Sequence, residues 1–238
     1  EAAFDRLIDE HKCNRILLFS MYPQYSGTTT ASNYDAFFKH ILRRRVVPTV
    51  RVVEPYFRDR RFVDSLARGI NESLASLDWT PEKLYLSYHG IPLSYRDNGD
   101  TYCCHCTETT QALLPELKLG ETQVEQVFQS RFGKDPWLTP YTDETVVEAT
   151  RNGMRRMAVA CPGFTTDCLE TLDEMGNELF EEFEELGGTH FHLIPCLNAE
   201  DYWLDAMASM ALDEIGSWLG DTQYTGCSIT CPVDGRCA

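Results

Sequence analysis

The residues with the clearest capacity for chemistry are glutamates that recur at every fourth position of one predicted helix. They are Glu170, Glu174 and Glu178, and no lysine or arginine lies between Arg156 and Arg236. Like charges four residues apart repel each other by roughly 0.2–0.5 kcal/mol per pair in a helix. A divalent cation would relieve that repulsion, because such metals bind carboxylate oxygen. The alternative is a solvated acidic face, with Glu170 as the partner of a helix cap.

His89 is the second candidate for chemistry. It directly follows a predicted strand and precedes Gly90, so its ring should point into the crevice at the end of that strand. An imidazole can accept a proton near neutral pH and is a common metal ligand. The alternative is a structural histidine held by hydrogen bonds. If His89 and Glu170 face one another across a pocket, they can bind a metal or transfer protons.

The elements that must position these side chains alternate between strand and helix. Strands are predicted at residues 84–88, 124–129, 157–161 and 191–194, and helices near 107–117, 143–152, 167–186 and 200–219. This alternation predicts an α/β fold with a parallel sheet flanked by helices. Earlier in the chain we predict a first helix, strands at 15–20 and 49–53 and a helix near 33–45, which together resemble the later part of a similar unit.

Four of the predicted strands end in proline, glycine and polar residues that would face one crevice. The segments at these ends are 21–26, 87–90, 129–131 and 161–165. In the helix at 167–186, one side is apolar and would face the core. Its members are Leu172, Met175, Leu179, Phe183 and Leu186.

Composition excludes several classes of protein. Lys+Arg 21 against Asp+Glu 37 gives a formal net charge of −16, which argues against nucleic-acid binding and against a polybasic membrane anchor. No apolar run approaches the roughly 20 residues of a membrane span, although peripheral membrane contact stays open. Of the 10 cysteines, three cluster at 103–106 and three in the tail. In a chain without a secretion pattern, such clusters favour metal or redox chemistry over disulfides and predict a cytoplasmic location.

Several motifs, in consistent order and spacing over residues 1–215, carry a family resemblance. They are Tyr-Pro-Gln-Tyr-Ser at 22–26, Leu-Ser-Tyr-His-Gly-Ile-Pro at 86–92, Phe-Gln-Ser-Arg-Phe-Gly at 128–133, Pro-Trp-Leu at 136–138, Thr-Asp-Glu at 142–144, and Cys-Pro-Gly-Phe at 161–164 continuing into Asp-Cys-Leu-Glu-Thr-Leu at 167–172. The chain resembles the ferrochelatases, of the bacterial type, without their amino-terminal third. These lyases are metal chelatases that insert Fe²⁺ into protoporphyrin IX at the end of haem biosynthesis.

The resemblance implies two Rossmann-like, chelatase-type lobes with the porphyrin between them, the first lobe being incomplete. We expect lobes at residues 1–78 and 79–215 and a cysteine-containing extension at 216–238. The resemblance further implies His89 and Glu170 as the facing metal-binding pair, a widened π-type turn that aligns Glu174 and Glu178 with Glu170, and Tyr25 and Trp137 against the macrocycle. Which of the pair is base and which is ligand stays open.

The tail resembles the extension that holds a [2Fe–2S] cluster in some ferrochelatases. Its cysteines are Cys227, Cys231 and Cys237, while Gly27 stands where such members usually have a fourth ligand. The fourth ligand would come from the cluster at 103–106, or no cluster forms. Two other functions stay open: a chelatase for another metal or tetrapyrrole, such as cobalt or coproporphyrin, and a non-catalytic iron–sulfur or porphyrin-binding protein. The oligomeric state is not predicted.

Overall fold

The computed structural model describes residues 2–120 and 123–220. Helices and strands alternate through most of this length. The strands are β1 (Arg15–Leu18), β2 (Thr49–Val52), β3 (Lys83–His89), β4 (Val124–Gln129), β5 (Arg156–Ala160) and β6 (His190–Leu193). The α-helices are α1 (Ala2–Asp9), α2 (Thr30–Ile41), α3 (Arg60–Ala75), α4 (Leu93–Asp97), α5 (Tyr102–Leu113), α6 (Thr142–Arg151), α7 (Leu179–Glu185) and α8 (Asp201–Leu219). A π-helix, Glu170–Glu178, leads directly into α7.

The main sheet has four parallel strands in the order β4-β3-β5-β6. After β3, the chain adds β4 at one edge of the sheet; it then returns past β3 to add β5 and β6 toward the other edge. The strand order therefore reverses between β3 and β5. Open α/β sheets bind ligands in the crevice at the carboxyl ends of such strands. His89 is the last residue of β3, and the loop after β5 leads to Glu170.

Helices cover both faces of this sheet because the strand residues alternate in direction. Leu84, Leu86 and Tyr88 of β3 join the core that contains α3, α5 and α8. Tyr85, between them, joins the opposite core, which contains residues of α6, the π-helix and α7. Both cores consist mainly of fully buried aliphatic and aromatic side chains, so the ends of the central strands are held from two sides.

The second sheet consists of β1 and β2, which pair in parallel. Helix α8 packs against both strands and against α3. Arg51 of β2 lies over the Trp218 ring, 4.6 Å from its centroid, and donates to Ser217 Oγ at 2.7 Å. The last described helix thus returns to the first sheet, and the predicted boundary at 215/216 falls within α8.

The predicted strands all lie within the observed sheets, with ends that differ by up to two residues. Helix α3 is not among the elements predicted from the sequence. Its signals are nevertheless present, because Asp59 caps the helix by accepting from Arg61 N at 2.9 Å, and Phe62, Val63 and Leu66 form a buried stripe. Within the described residues, no helix is both long enough and apolar enough to cross a membrane.

Candidate active site

A cavity of about 750 Å³ lies at the carboxyl ends of the strands. This volume falls within the roughly 300–1,000 Å³ that is typical of small-molecule sites. Its walls come from the segments after β1, β3, β4 and β5, as the strand ends predicted. The main apolar contributors are Met21, Tyr22, Ile91, Phe132, Trp137 and Phe164. The cavity is open and largely apolar, which suits a flat aromatic ligand.

His89 and Glu170 both line this cavity, so they open onto the same space. The Nδ1 of His89 lies 2.7 Å from the carbonyl oxygen of Gly90. A carbonyl can only accept, so Nδ1 carries the proton and the Nε2 of a neutral ring keeps its lone pair. The lone pair on Nε2 is therefore available for a proton or a metal.

The Glu170 carboxyl is poised to stay ionised. A hydrogen bond from the Cys168 thiol and one from its own backbone N–H hold its pKa below the ordinary value, and a charge on His89 acts in the same direction, while partial burial opposes them. An ionised carboxylate is a good oxygen ligand for a hard or borderline divalent metal.

Glu170 begins the π-helix, as the resemblance implied. Hydrogen bonds from residue i to i+5 make such a helix wider than an α-helix of 3.6 residues per turn. Its buried side follows every fourth residue through Thr171, Met175 and Leu179, and a straight line of that spacing requires about four residues per turn. The same widening corrects one prediction, because Leu172 is 53% exposed rather than in the core.

The remaining glutamates of the row diverge from the cavity. Glu174 accepts from the backbone N–H of Ser130 at 2.6 Å, from its hydroxyl, and from the Gln129 side chain at 3.3 Å. Glu178 is exposed. Over the described part of the chain, no group of three or more His, Cys, Asp or Glu side chains is arranged to hold a metal ion. The four predicted metal-binding residues are thus not gathered in one coordination shell: His89 and Glu170 line the cavity, and Glu174 and Glu178 do not.

Of the two predicted aromatic contacts, Trp137 lines the cavity and Tyr25 does not. Trp137 packs closely against the segment that follows β3, where Gly90 leaves room for it: a Cβ at Gly90 would lie 3.2 Å from the Trp137 ring. In the segment after β1, Tyr22 supplies the ring in the wall instead of Tyr25. Tyr25 lies between two buried residues that do line the cavity, Gln24 and Ser26.

The segment after β1 is fixed by residues at the beginning of α5, a contribution to the site that the sequence motifs do not predict. Asp100 accepts from Ser26 Oγ at 2.9 Å and from Gly27 N at 2.8 Å. His105 Nδ1 accepts from Tyr25 N at 3.1 Å. Burial lowers the pKa of His105, which keeps the ring neutral and leaves Nδ1 free to accept. A wall of the cavity is therefore held by residues 73 to 80 positions away in the chain.

The cysteines at 103–106 differ in accessibility. Cys106 is fully buried, and burial raises its pKa well above the ordinary value, so it is a poor thiolate ligand. Cys103 is half-buried and Cys104 is exposed. The predicted ligands Cys227, Cys231 and Cys237 lie outside the described residues.

Comparison with known proteins decides the family. A ferrochelatase family profile matches residues 2–215 of this chain. The chain belongs to the ferrochelatase family. Curated ferrochelatases of Brucella ovis (strain ATCC 25840) and Brucella abortus (strain S19) are each 47% identical to it over 219 residues, which make up 92% of this chain and 62% of the relative. The chain therefore spans somewhat less than two thirds of the length of these ferrochelatases.

A solved structure shares the fold at much lower sequence identity. SirB from Bacillus subtilis with Fe³⁺ matches with a TM-score of 0.62 and 11% identity, over 91% of this chain and 77% of that chain. At that identity the likeness concerns the fold alone: α/β, with parallel sheets flanked by helices. The ferrochelatase assignment rests on the sequence relatives.

Proposed function

We propose that this chain carries the metal-insertion site of a ferrochelatase, which inserts Fe²⁺ into protoporphyrin IX to form protohaem. The observation that carries the proposal is that His89 and Glu170 open onto one aromatic-walled cavity at the reversal point of the sheet. Family membership supports iron and protoporphyrin as the substrates over cobalt, coproporphyrin or a binding function without catalysis. The two sheets would be the cores of two lobes, with an extension that begins after α8 rather than at residue 216.

The reaction removes two pyrrole protons as the iron binds to the four nitrogens, so the charge balances. His89 Nε2, with its lone pair free, is suited to accept a pyrrole proton. The ionised Glu170 is suited to replace water ligands of Fe²⁺ or to pass protons outward along Glu174 and Glu178. The cavity walls around Trp137 would bend the macrocycle and direct a nitrogen lone pair at the metal, a strain supplied by binding energy.

The test is His89→Ala in the full-length protein. We expect haem formation from Fe²⁺ and protoporphyrin to fall by a factor of about 10² or more, while porphyrin binding, followed by quenching of tryptophan fluorescence, changes little. His190→Ala is the matched control, because His190 is exposed at the start of β6. Unchanged turnover in His89→Ala would refute the proposal. Replacing Fe²⁺ with Co²⁺, or protoporphyrin with coproporphyrin, tests the alternative substrates.

We also propose a [2Fe–2S] cluster held by Cys227, Cys231 and Cys237, and a cytoplasmic location, where free thiols stay reduced. Four thiolates are required. Of the described candidates for the fourth, the exposed Cys104 fits and the buried Cys106 does not. Visible absorption of the protein purified without air tests the cluster, and a spectrum without bands above 300 nm, at about 10 μM protein, contradicts it.

A further inference from the structure

Gln129 lies between the two halves of the proposed metal site. It is the last residue of β4 and pairs in register with His89 of β3. Its side chain is almost completely enclosed, with the residue 4% exposed. A buried amide must find hydrogen-bond partners for both of its polar atoms, and those partners determine what it holds in place.

The amide of Gln129 uses all of its hydrogen-bonding positions. Its Oε1 accepts from Ser87 Oγ at 2.9 Å and from Cys161 Sγ at 3.6 Å. The opposite atom, Nε2, faces the π-helix, where both of its partners can only accept, and this fixes which atom is nitrogen. Nε2 donates to the main-chain carbonyl of Glu170 at 2.8 Å and to Glu174 Oε2 at 3.3 Å. Gln129 thus connects the ends of β3, β4 and β5 to the first turn of the π-helix.

Ser130 strengthens the same attachment. Its φ of 65° is in the left-handed region, which costs a non-glycine residue about 1 kcal/mol or more. In this conformation both its N–H, at 2.6 Å, and its hydroxyl reach the carboxylate of Glu174. Together with the bond from Gln129, three donors hold a glutamate one turn beyond Glu170.

The π-helix needs such an attachment. The residue at its N-cap, Leu169, makes no side-chain capping bond, and the like charges of its acidic row repel one another. We propose that Gln129 is a positioning residue: it ties the main chain of Glu170 to the strand that neighbours His89 and so sets the separation of the two side chains. This inference rests on the proposed function of that pair. Partners of this kind around a metal site change metal affinity or activity by roughly 10–100-fold when they are lost.

The test compares Gln129→Leu and Gln129→Glu with the parent. Leucine removes every bond, while glutamate keeps the shape and the acceptor for Ser87 but loses the donors to Glu170 and Glu174. Gln126→Leu on the same strand is the control, since Gln126 makes none of these bonds. Two quantities are measured: the affinity for Co²⁺ alone, from the visible absorption of the metal, and kcat and KM for porphyrin in the full-length protein.

We expect the dissociation constant for Co²⁺ to rise at least tenfold and kcat to fall about 10–100-fold in both variants. The KM for porphyrin should stay within about twofold, because the cavity wall is unchanged. If Gln129→Leu proves unfolded by circular dichroism, the isosteric Gln129→Glu decides. If the parent binds Co²⁺ and turns over, and a folded Gln129→Glu variant has the same Co²⁺ affinity and kcat, the role of Gln129 is refuted while the proposed function stands. A parent that neither binds nor turns over overturns the proposed function and the inference with it.

Discussion

Substituting Gly188 by alanine would place a methyl group inside the volume already filled by the Phe183 ring. Helix α7 ends in a two-glycine motif: Gly187, with a φ of 92°, donates to Glu184 O, and Gly188 donates to Phe183 O, both at 2.9 Å. This is the pattern of a Schellman cap. It folds the chain back so tightly that the Phe183 ring lies directly over the α-carbon of Gly188.

The size of the clash sets the magnitude. An ideal Cβ at Gly188 lies 2.3–2.4 Å from three ring atoms of Phe183, so the two must separate by about 1 Å to reach ordinary van der Waals contact. Phe183 is 1% exposed in the core beneath the π-helix and has little room to move. Overpacking costs about 1–3 kcal/mol, and loss of a buried phenylalanine about 3–5. We expect a loss of about 2–4 kcal/mol in the free energy of unfolding.

Urea denaturation of the chain, followed by circular dichroism, measures this loss. The control is Gly216→Ala in α8, where nothing lies within 4 Å of the added methyl. There we expect a gain of about 0.5–1 kcal/mol, because alanine favours the helix. The clash should also be smaller in a Phe183→Leu background, so the two substitutions should couple. A Gly188→Ala protein within about 0.5 kcal/mol of its parent would refute this account of the helix end.

Three further predictions concern an acid, a thiol and a charged wall. The Arg61 guanidinium holds the pKa of Asp59 below its ordinary value; its stabilisation is therefore present at neutral pH and is lost as the pH falls through that lowered pKa. Asp59→Ala should lower the free energy of unfolding by about 1 kcal/mol at pH 7 and by less below about pH 4. Urea denaturation across this pH range measures it, and a difference between variant and parent that does not change with pH would contradict the prediction. The exposed Cys104 should react rapidly with Ellman's reagent and the buried Cys106 only after unfolding, so Cys104→Ser should remove one thiol from the rapid phase, and an unaltered rapid phase argues against this exposure. Because the described cavity lining contains Glu170 and Asp135 but no lysine or arginine, raising the salt from about 0.05 to 0.3 M should raise the KM for Fe²⁺ through screening; a KM that falls would contradict it.

The candidate site could be predicted from sequence because the carboxyl ends of neighbouring parallel strands lie at one edge of the sheet. Each strand reads as an apolar run followed by proline, glycine or polar residues, and the carboxyl ends of neighbouring parallel strands necessarily meet. That rule is enough to bring the end of β3, with His89, and the loop that leads from β5 to Glu170 into one cavity. It needs no knowledge of side-chain packing.

What the sequence could not provide depends on local geometry and on distant contacts. An α-helical period of 3.6 places Leu172 in the core, but the π-helix shifts the buried line to Thr171, and residue spacing alone does not reveal the wider turn. Tyr25 and Tyr22 are equally plausible from a five-residue motif. Only the anchoring of that segment by Asp100 and His105, far along the chain, decides which ring lines the cavity.

The two proposed substrates carry opposite charges, so we expect different groups of the cavity wall to bind them. With a formal net charge of −16 and no lysine or arginine in the described cavity lining, the chain would attract Fe²⁺ and repel the carboxylates of a porphyrin. Under the proposed function, the macrocycle would be held by apolar contact, for which the rings of Tyr22, Trp137 and Phe164 line the cavity from three separate segments. The imidazole of His89 and the carboxylate of Glu170 would then take no part in holding the porphyrin. In the proposed reaction they would act on the metal and on the pyrrole protons, where differential binding lowers the barrier.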